Sequence, residues 1–348
     1  MLFVSLRDLQ WRLRRFVIGV LATGLVFALA LLISGVSGSF QNEVSRAVNA
    51  FHADRWFVAE RAFGPFTSST LISASEAQAV AREPGVVAAD PVALLRFTAR
   101  TPAVKDLNVI GVVPHGVGAP EVRDGRALAG AGEIVADRSL GLPLGGNLDL
   151  GGDRFRIVGR TSGVSYYGGT PVVFITLADA QRLMLGGQPL ATAIVVRGTP
   201  ATAPAGLRVV TNAEVKSDLQ RPLQKATQTI DFLRVLLWII AAGIIGSVLY
   251  LQALERTRDF AVFKATGVSS GSLLIGIALQ ALVLAGLAAV AALVLAWLLT
   301  PTMAMNIEIS RSSYVALPIV AIVVGLVSSV FGLRRAVTVD PALAFGGA

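Results

Sequence analysis

Four lysines, Lys105, Lys216, Lys225 and Lys264, are the only ones in a chain of 348 residues, and none follows a glycine. A phosphate cradle needs glycine-rich backbone closed by Gly-Lys-Ser/Thr, so the chain does not hold a nucleotide by that route. His52 and His115 are isolated, with no His-Glu-x-x-His pattern and no carboxylate pair at ligand spacing. Each reads as a loop or surface histidine rather than a metal ligand or base. No Gly-x-Ser-x-Gly elbow is present to expose a nucleophilic serine. Asp149 and Asp153 flank glycine turns and read as solvated acids rather than a hydrolytic dyad. Cysteine is absent, which removes disulfides and thiolate metal sites. The chain therefore offers no catalytic residues and no resident cofactor or metal ligands.

One stretch concentrates chemistry of another kind. In LERTRDFAVFKATGV, residues 254–268, Glu255, Arg256, Arg258, Asp259 and Lys264 crowd between two greasy segments. The pattern predicts a short helix with Phe260, Phe263 and Val262 along an apolar edge, and Gly267 suits the C′ position that stops it. Bulky apolar side chains on so short a polar loop call for a cover, either a lipid surface or a partner.

The elements that position this stretch follow from composition. Hydrophobic residues make up 54% of the chain and charged residues 15%, with a mean hydropathy of +0.68. An ordinary soluble domain carries about 25% charged residues, so the balance points to lipid. The net charge of +8 does not argue for nucleic acid, because the basic residues gather at the ends of apolar runs. A spanning helix needs about 20 apolar residues. Phe16 to Gly35 meets that requirement, as does Val235 to Leu251 with its extension to Leu254. Leu273 to Leu299 is long enough to tilt, and Tyr314 to Leu333 carries Pro318 near its start. The first run exceeds a secretory h-region and reads as an uncleaved helix.

Orientation comes from the arginines and lysines at the span ends. Arg7, Arg12, Arg14 and Arg15 precede the first span, Arg256, Arg258 and Lys264 follow the second, and Arg334 and Arg335 follow the fourth. The 300–313 loop offers only Arg311. This asymmetry puts both termini and the mixed-charge stretch in the cytoplasm and the long 38–231 segment outside. Leu2, Leu6, Leu9 and Leu13 share one face of an amphipathic helix suited to the headgroup level.

The outside segment mixes strands and helices. Ala74 to Arg82 reads as a helix stopped by Pro84 and Gly85. Val92 to Phe97, Leu107 to Val113, Glu133 to Asp137, Phe155 to Gly159 and Val172 to Thr176 read as strands, and Leu177 to Leu185 as a helix. Asn212 to Asp231 reads as a polar stalk helix interrupted at Pro222. Within the spans, Gly243 with Ser247 and the stripe Ala278, Ala281, Ala285 and Ala289 are spaced for close helix packing, in the bundle interior or along a seam with a second copy.

Three passages together carry a family resemblance. Glu255-Arg256-Thr257-Arg258-Asp259-Phe260 followed by Phe263-Lys264-Ala265-Thr266-Gly267 resembles the ERTREIG…LRALGA segment of FtsX/MacB-like permeases. Asp259 stands for its second acid, Phe260 for the following aliphatic residue and Lys264 for its arginine. Glu133-Ile-Val-Ala-Asp137, with Leu142 to Leu150 and Phe155-Arg-Ile-Val-Gly159, resembles the EIVV…LGL.VGD…f.VVG passage, with Asn147 in place of the usual Asp. Asp340-Pro341-Ala-Leu-Ala-Phe345 resembles the DPxxAL ending. The nearest flavour is the DevC-like branch of the type VII ABC superfamily, some members of which carry a glutamine-transport label.

The resemblance implies an α-helical membrane protein with four transmembrane helices and a mixed α/β extracytoplasmic domain, similar to the MacB periplasmic core, inserted between the first and second. On that pattern 1–15 is an interfacial helix, 16–37 the first span, 38–231 the outer domain with its stalk and 232–254 the second span. A cytoplasmic coupling helix occupies 255–270, the third span 271–299, an outer loop 300–313, the fourth span 314–333 and a cytoplasmic tail 334–348. It also implies a multi-pass protein of the bacterial inner membrane and ATPase coupling through Glu255, Arg256, Arg258, Asp259, Phe260, Phe263, Lys264 and Gly267. ATP and magnesium would be held by a separate ABC ATPase partner. A second permease copy, the bilayer and an extracytoplasmic partner or cargo complete the expected partners, with no nucleic acid among them. Three functions remain open: extrusion of a lipid, peptide or small molecule, cargo-free regulation of a cell-wall hydrolase, and amino-acid uptake. The last would need a solute-binding protein and a midplane site, and the sequence offers neither.

Overall fold

Backbone amides in lipid have no water to bond, so a spanning segment must satisfy them within itself. The computed structural model describes residues 13–101, 103–255, 259, 262, 266–267, 269–302, 309 and 311–337. It meets this demand with four helices long and apolar enough to cross a membrane. They are α1 (Leu13–Asn49), α5 (Gln224–Glu255), α6 (Ser270–Leu299) and α7 (Arg311–Val337). Three short helices lie between the first two: α2 (Glu76–Val80), α3 (Leu177–Met184) and α4 (Asn212–Gln220). The chain divides into two compact units, residues 1–39 with 226–348, and residues 40–225. The expected amphipathic helix at the N-terminus and the DPxxAL-like tail lie outside the described residues.

In the membrane unit, alanine and glycine set the helix approach. Ala281, Ala285, Ala288, Ala289 and Ala292 of α6 are buried. A Cβ on Gly24 of α1 would sit 2.9 Å from the Ala291 Cβ and 3.2 Å from the Ala288 carbonyl oxygen. A Cβ on Gly325 of α7 would sit 3.2 Å from the carbonyl oxygen of Ala281. The first and fourth spans therefore both close on α6 through missing side chains, as close packing in lipid requires. Of the expected alanine stripe, Ala281, Ala285 and Ala289 are buried and Ala278 is half-buried, but Gly243 and Ser247 do not pack inside the bundle. Both are exposed, and nothing stands within 4 Å of where a Gly243 Cβ would be. Spacing alone shows that two small residues share a helix face, not what that face meets.

The 40–225 unit is built on a mixed sheet. Its strands are β1 (Arg55–Ala59), β2 (Ile72–Ser73), β3 (Val86–Thr101), β4 (Ala103–Val112), β5 (Asp124–Gly125), β6 (Glu133–Asp137), β7 (Asn147–Leu150), β8 (Asp153–Thr161), β9 (Ser165–Tyr166), β10 (Thr170–Thr176), β11 (Leu190–Ala191), β12 (Ala193–Gly198) and β13 (Leu207–Thr211). The sheet runs β13-β1-β12-β3-β4-β10-β6-β8-β5, with β7 on β8, β9 on β10 and a separate β2–β11 ribbon. Strand β3 is long because it serves two partners. Its first half pairs with β12, from Val86 opposite Gly198 to Val92 opposite Ala193. Its second half pairs with β4, from Ala93 opposite Gly111 to Thr101 opposite Ala103. Two cores result. Phe51, Trp56, Phe57, Phe174 and Val195 lie in the larger, and Leu107, Ile134, Leu148, Phe155 and Ile157 in the smaller.

Candidate functional site

Three chain segments meet in the 40–225 unit around buried carboxylates. Glu43, in the last turns of α1, accepts from the Ser165 hydroxyl at 2.7 Å and from the Gly168 and Gly169 amides at 3.1 and 2.7 Å. The receiving turn is unusual. Tyr167, Gly168 and Gly169 have φ of 59, 80 and 89° in succession, and left-handed backbone of this kind turns consecutive N–H groups toward one point. An anion belongs there, and Glu43 supplies it. Tyr167 takes up a conformation that a bulky side chain rarely adopts, so the surrounding packing must hold it.

Asp218 of α4 does the same for the 63–67 loop. It is fully buried and accepts from the Phe66 and Thr67 amides at 2.8 and 3.2 Å and from the Thr67 hydroxyl. Gly64 passes so close to this carboxylate that no side chain fits there. Between the two carboxylates lies an aromatic wedge. Phe66 meets Tyr166 edge-on at 5.4 Å, Tyr166 meets Tyr167 at 5.0 Å and Phe51 meets Trp56 at 4.7 Å. Trp56 Nε1 donates to Asn212 Oδ1 at 2.8 Å, and Asn212 Nδ2 donates to the Ala53 carbonyl at 2.8 Å. Burial raises the Tyr166 phenol and, with Asp218 nearby, pushes Tyr167 up to about 12. The network ties the last turns of α1 to the helix that precedes α5. Glu43 and Asp218 carry no motif, so nothing in the sequence marks the network.

The Glu133–Gly159 passage builds part of the smaller core. Glu133, at the start of β6, forms a fork with the Arg126 guanidinium and accepts from the Ala129 amide. The Arg126 hydrogen bond, helped by that amide against partial burial, lowers its carboxyl to about 2. Asp137, at the other end of β6, is buried and accepts from the Ser139 and Val164 amides and the Thr161 hydroxyl. Asn147 is exposed at the start of β7, where an Asp would also be accommodated. Among the described residues no group of His, Cys, Asp and Glu could hold a metal ion.

The mixed-charge stretch connects α5 to α6. Glu255 is the last residue of α5, and Asp259 and Val262 are helical and exposed. The Thr266 amide donates to the Val262 carbonyl at 2.9 Å, closing a helical turn. Gly267 then takes φ of 89°, the left-handed conformation of a residue just past a helix end. Ser269 caps α6, its hydroxyl accepting from the Ser272 amide. Arg256, Arg258, Phe260, Phe263 and Lys264 lie outside the described residues. Leu254, Glu255, Asp259, Val262, Thr266 and Gly267 are the described residues of the stretch.

Comparison with known proteins agrees with this architecture. The MacB-like periplasmic core domain family matches residues 17–209, and the FtsX-like permease C-terminal family matches residues 232–341. An uncharacterized ABC transporter permease of Mycobacterium bovis is 45% identical over 348 residues, all of both chains. A second, from Mycobacterium tuberculosis, is 42% identical over the same full length. The periplasmic region of MacB from Actinobacillus actinomycetemcomitans matches with a TM-score of 0.36 and 13% identity, covering 48% of this chain and 92% of that one. With four spanning helices and a mixed α/β domain inserted after the first, the chain belongs to the FtsX/MacB-type ABC transporter permeases.

Proposed function

We propose that the chain is the membrane subunit of a transporter whose ATPase is a separate polypeptide, and that it converts ATP-driven strokes into movement of its 40–225 domain. The protein sits in the bacterial cell membrane with both termini and the 255–270 segment in the cytoplasm. A second permease copy completes a pair, and the cargo is a lipid, peptide or small molecule moved outward. The observation that carries this reading is the short mixed-charge element between α5 and α6, with Asp259 and Val262 exposed and Gly267 closing it. Charges set register and on-rate in a transient interface, while apolar and aromatic anchors such as Phe260 and Phe263 supply most of the binding energy. The Glu43 and Asp218 network supports the mechanical half of the reading. Within the 40–225 unit the end of α1 is held by Glu43 to the 165–169 turn and α4 is held by Asp218 to the 63–67 loop, so the segments at the domain's two chain ends are each fixed to it.

The test uses the permease reconstituted with its ATPase. Phe263→Asp and Arg258→Glu each abolish stimulation of ATP hydrolysis while membrane insertion is retained. Undiminished stimulation in both variants would reject the coupling role.

A further inference from the structure

The membrane unit contains a cavity of about 200 Å³ that the permease reading leaves unused. Leu31 and Ser34 of α1, Arg234 and Trp238 of α5, and Ser313 and Leu317 of α7 line it. Ser34 stands toward the C-terminal end of its hydrophobic run, and Arg234 and Ser313 at the N-terminal ends of theirs, so the cavity opens at one end of the bundle rather than at mid-span. Its walls are mainly apolar. Arg234 brings the charge. The guanidinium lies 5.6 Å from the centre of the Trp238 ring and pairs through Nη2 with Asp231 at 2.9 Å. Its Nε is buried and has no hydrogen-bond partner.

A buried donor on a permanent cation is costly to leave unmet and marks a place for an acceptor. Asp231 meets one edge of the guanidinium only, and its own side chain is 55% exposed. The planar fork of an arginine suits phosphate oxygens in particular, and a Trp beneath it is the usual residue of the membrane interface. The cavity is smaller than the sites that enclose a drug-sized molecule. It has room for a headgroup and the start of a chain, with the rest of the molecule left in the bilayer. From this we infer that the Arg234 cavity binds the phosphate of an anionic phospholipid from the surrounding membrane, with the first methylenes of its chain against Leu31, Trp238 and Leu317.

The experiment is native mass spectrometry of the full-length permease in detergent, titrated with phosphatidylglycerol or phosphatidylcholine. A chain of net charge +8 attracts anionic lipid at many places, so the readout is the change between variants. Arg234→Gln weakens the first bound phosphatidylglycerol roughly ten-fold, as expected for loss of a charge-assisted pair, and weakens phosphatidylcholine, whose phosphate is offset by its own quaternary ammonium, by less. Asp231→Asn, on an exposed side chain, tightens phosphatidylglycerol by removing the competing carboxylate. Ala316→Phe, exposed on the cavity wall, weakens both lipids. Glycerol 3-phosphate at millimolar concentration fails to compete, which separates a lipid from a free phosphate. The inference is overturned if Arg234→Gln and Asp231→Asn both leave phosphatidylglycerol retention unchanged. Displacement of the lipid by glycerol 3-phosphate would also overturn it.

Discussion

The membrane unit and the 40–225 domain bury polar groups in opposite ways. In the spans, hydroxyls return to their own helix: Ser34 to the Ala30 carbonyl at 2.8 Å, Ser247 to Gly243 at 2.8 Å and Thr300 to Ala296 at 2.7 Å. Ser328 also reaches across, its hydroxyl lying 2.6 Å from the Val324 carbonyl and 2.9 Å from Ala242 on α5, while the buried Thr23 hydroxyl of α1 has no hydrogen-bond partner. In the domain, buried carboxylates reach far along the chain, Glu43 to residues 165–169 and Asp218 to residues 66–67. Lipid makes an unmet charge too costly, so helix register there is set by the small residues Gly24, Gly325 and the α6 alanines. The domain has its outer surface in water and can hold loops with ionised groups, provided each is fully bonded. One unit is positioned by shape and the other by charge.

The contrast can be broken first at the carboxylates. Glu43→Gln and Asp218→Asn each turn an acceptor-only group into one with a misplaced donor against backbone N–H groups. Each is expected to cost about 2–4 kcal/mol, seen as an earlier unfolding transition of the detergent-purified protein. Hydrogen exchange would rise locally, at 165–169 for the first and 63–67 for the second. A uniform rise with no local signature would contradict the stapling role.

The packing side is sharpened by a pair of glycine changes. Gly24→Leu forces α1 away from Ala288 and Ala291 and is expected to cost about 1–3 kcal/mol. Gly243→Leu has open space before it and should leave the melting temperature of the solubilised monomer unchanged. Equal destabilisation by both would mean that the close approach at Gly24 does not set the packing.

The smallest effect concerns acid. The folded Glu133 carboxyl, at about 2, lies below its ordinary 4.5. Its pairing therefore stabilises the domain fully above pH 4.5, and that contribution is lost as the pH falls toward 2. The Arg126 side chain is largely solvated, so solvent screening keeps the change small. An Arg126→Gln variant should show a flatter melting-temperature profile across that window than the unmodified protein.

Much of the architecture was legible because it rests on local signals. The four apolar runs gave the spans, and Pro222 gave the break between α4 and α5, where a short 3₁₀ turn covers Arg221–Leu223. Glu133 to Asp137 reads as a strand from its own residues and is one. Strands β1, β12 and β13 carry no local signal, because pairing across more than a hundred residues makes them strands. Arg55 opposite Val196 and Thr211 is such a case. Val92 to Phe97 reads as a short strand from its own residues, and its extension to Thr101 depends on β4 alongside. In the site, Gly267 was visible as a helix-stopping glycine. Glu43, Tyr167 and Asp218 were not, because a staple is a relation between distant residues and leaves no mark at either end. Arg234 likewise reads as an ordinary flanking arginine until Trp238 and α7 are placed around it.

The coupling role requires that the 255–270 segment faces the cytoplasm and receives an ATPase there. The chain has no cysteine, so a single Val262→Cys, at a helical position 49% exposed, can be labelled without background. Membrane-impermeant maleimide applied to inside-out vesicles and to intact cells measures its sidedness, and adding the ATPase measures its cover. Labelling is expected in inside-out vesicles only, suppressed when the ATPase binds. Labelling from the outside of intact cells, or labelling indifferent to bound ATPase, would contradict it.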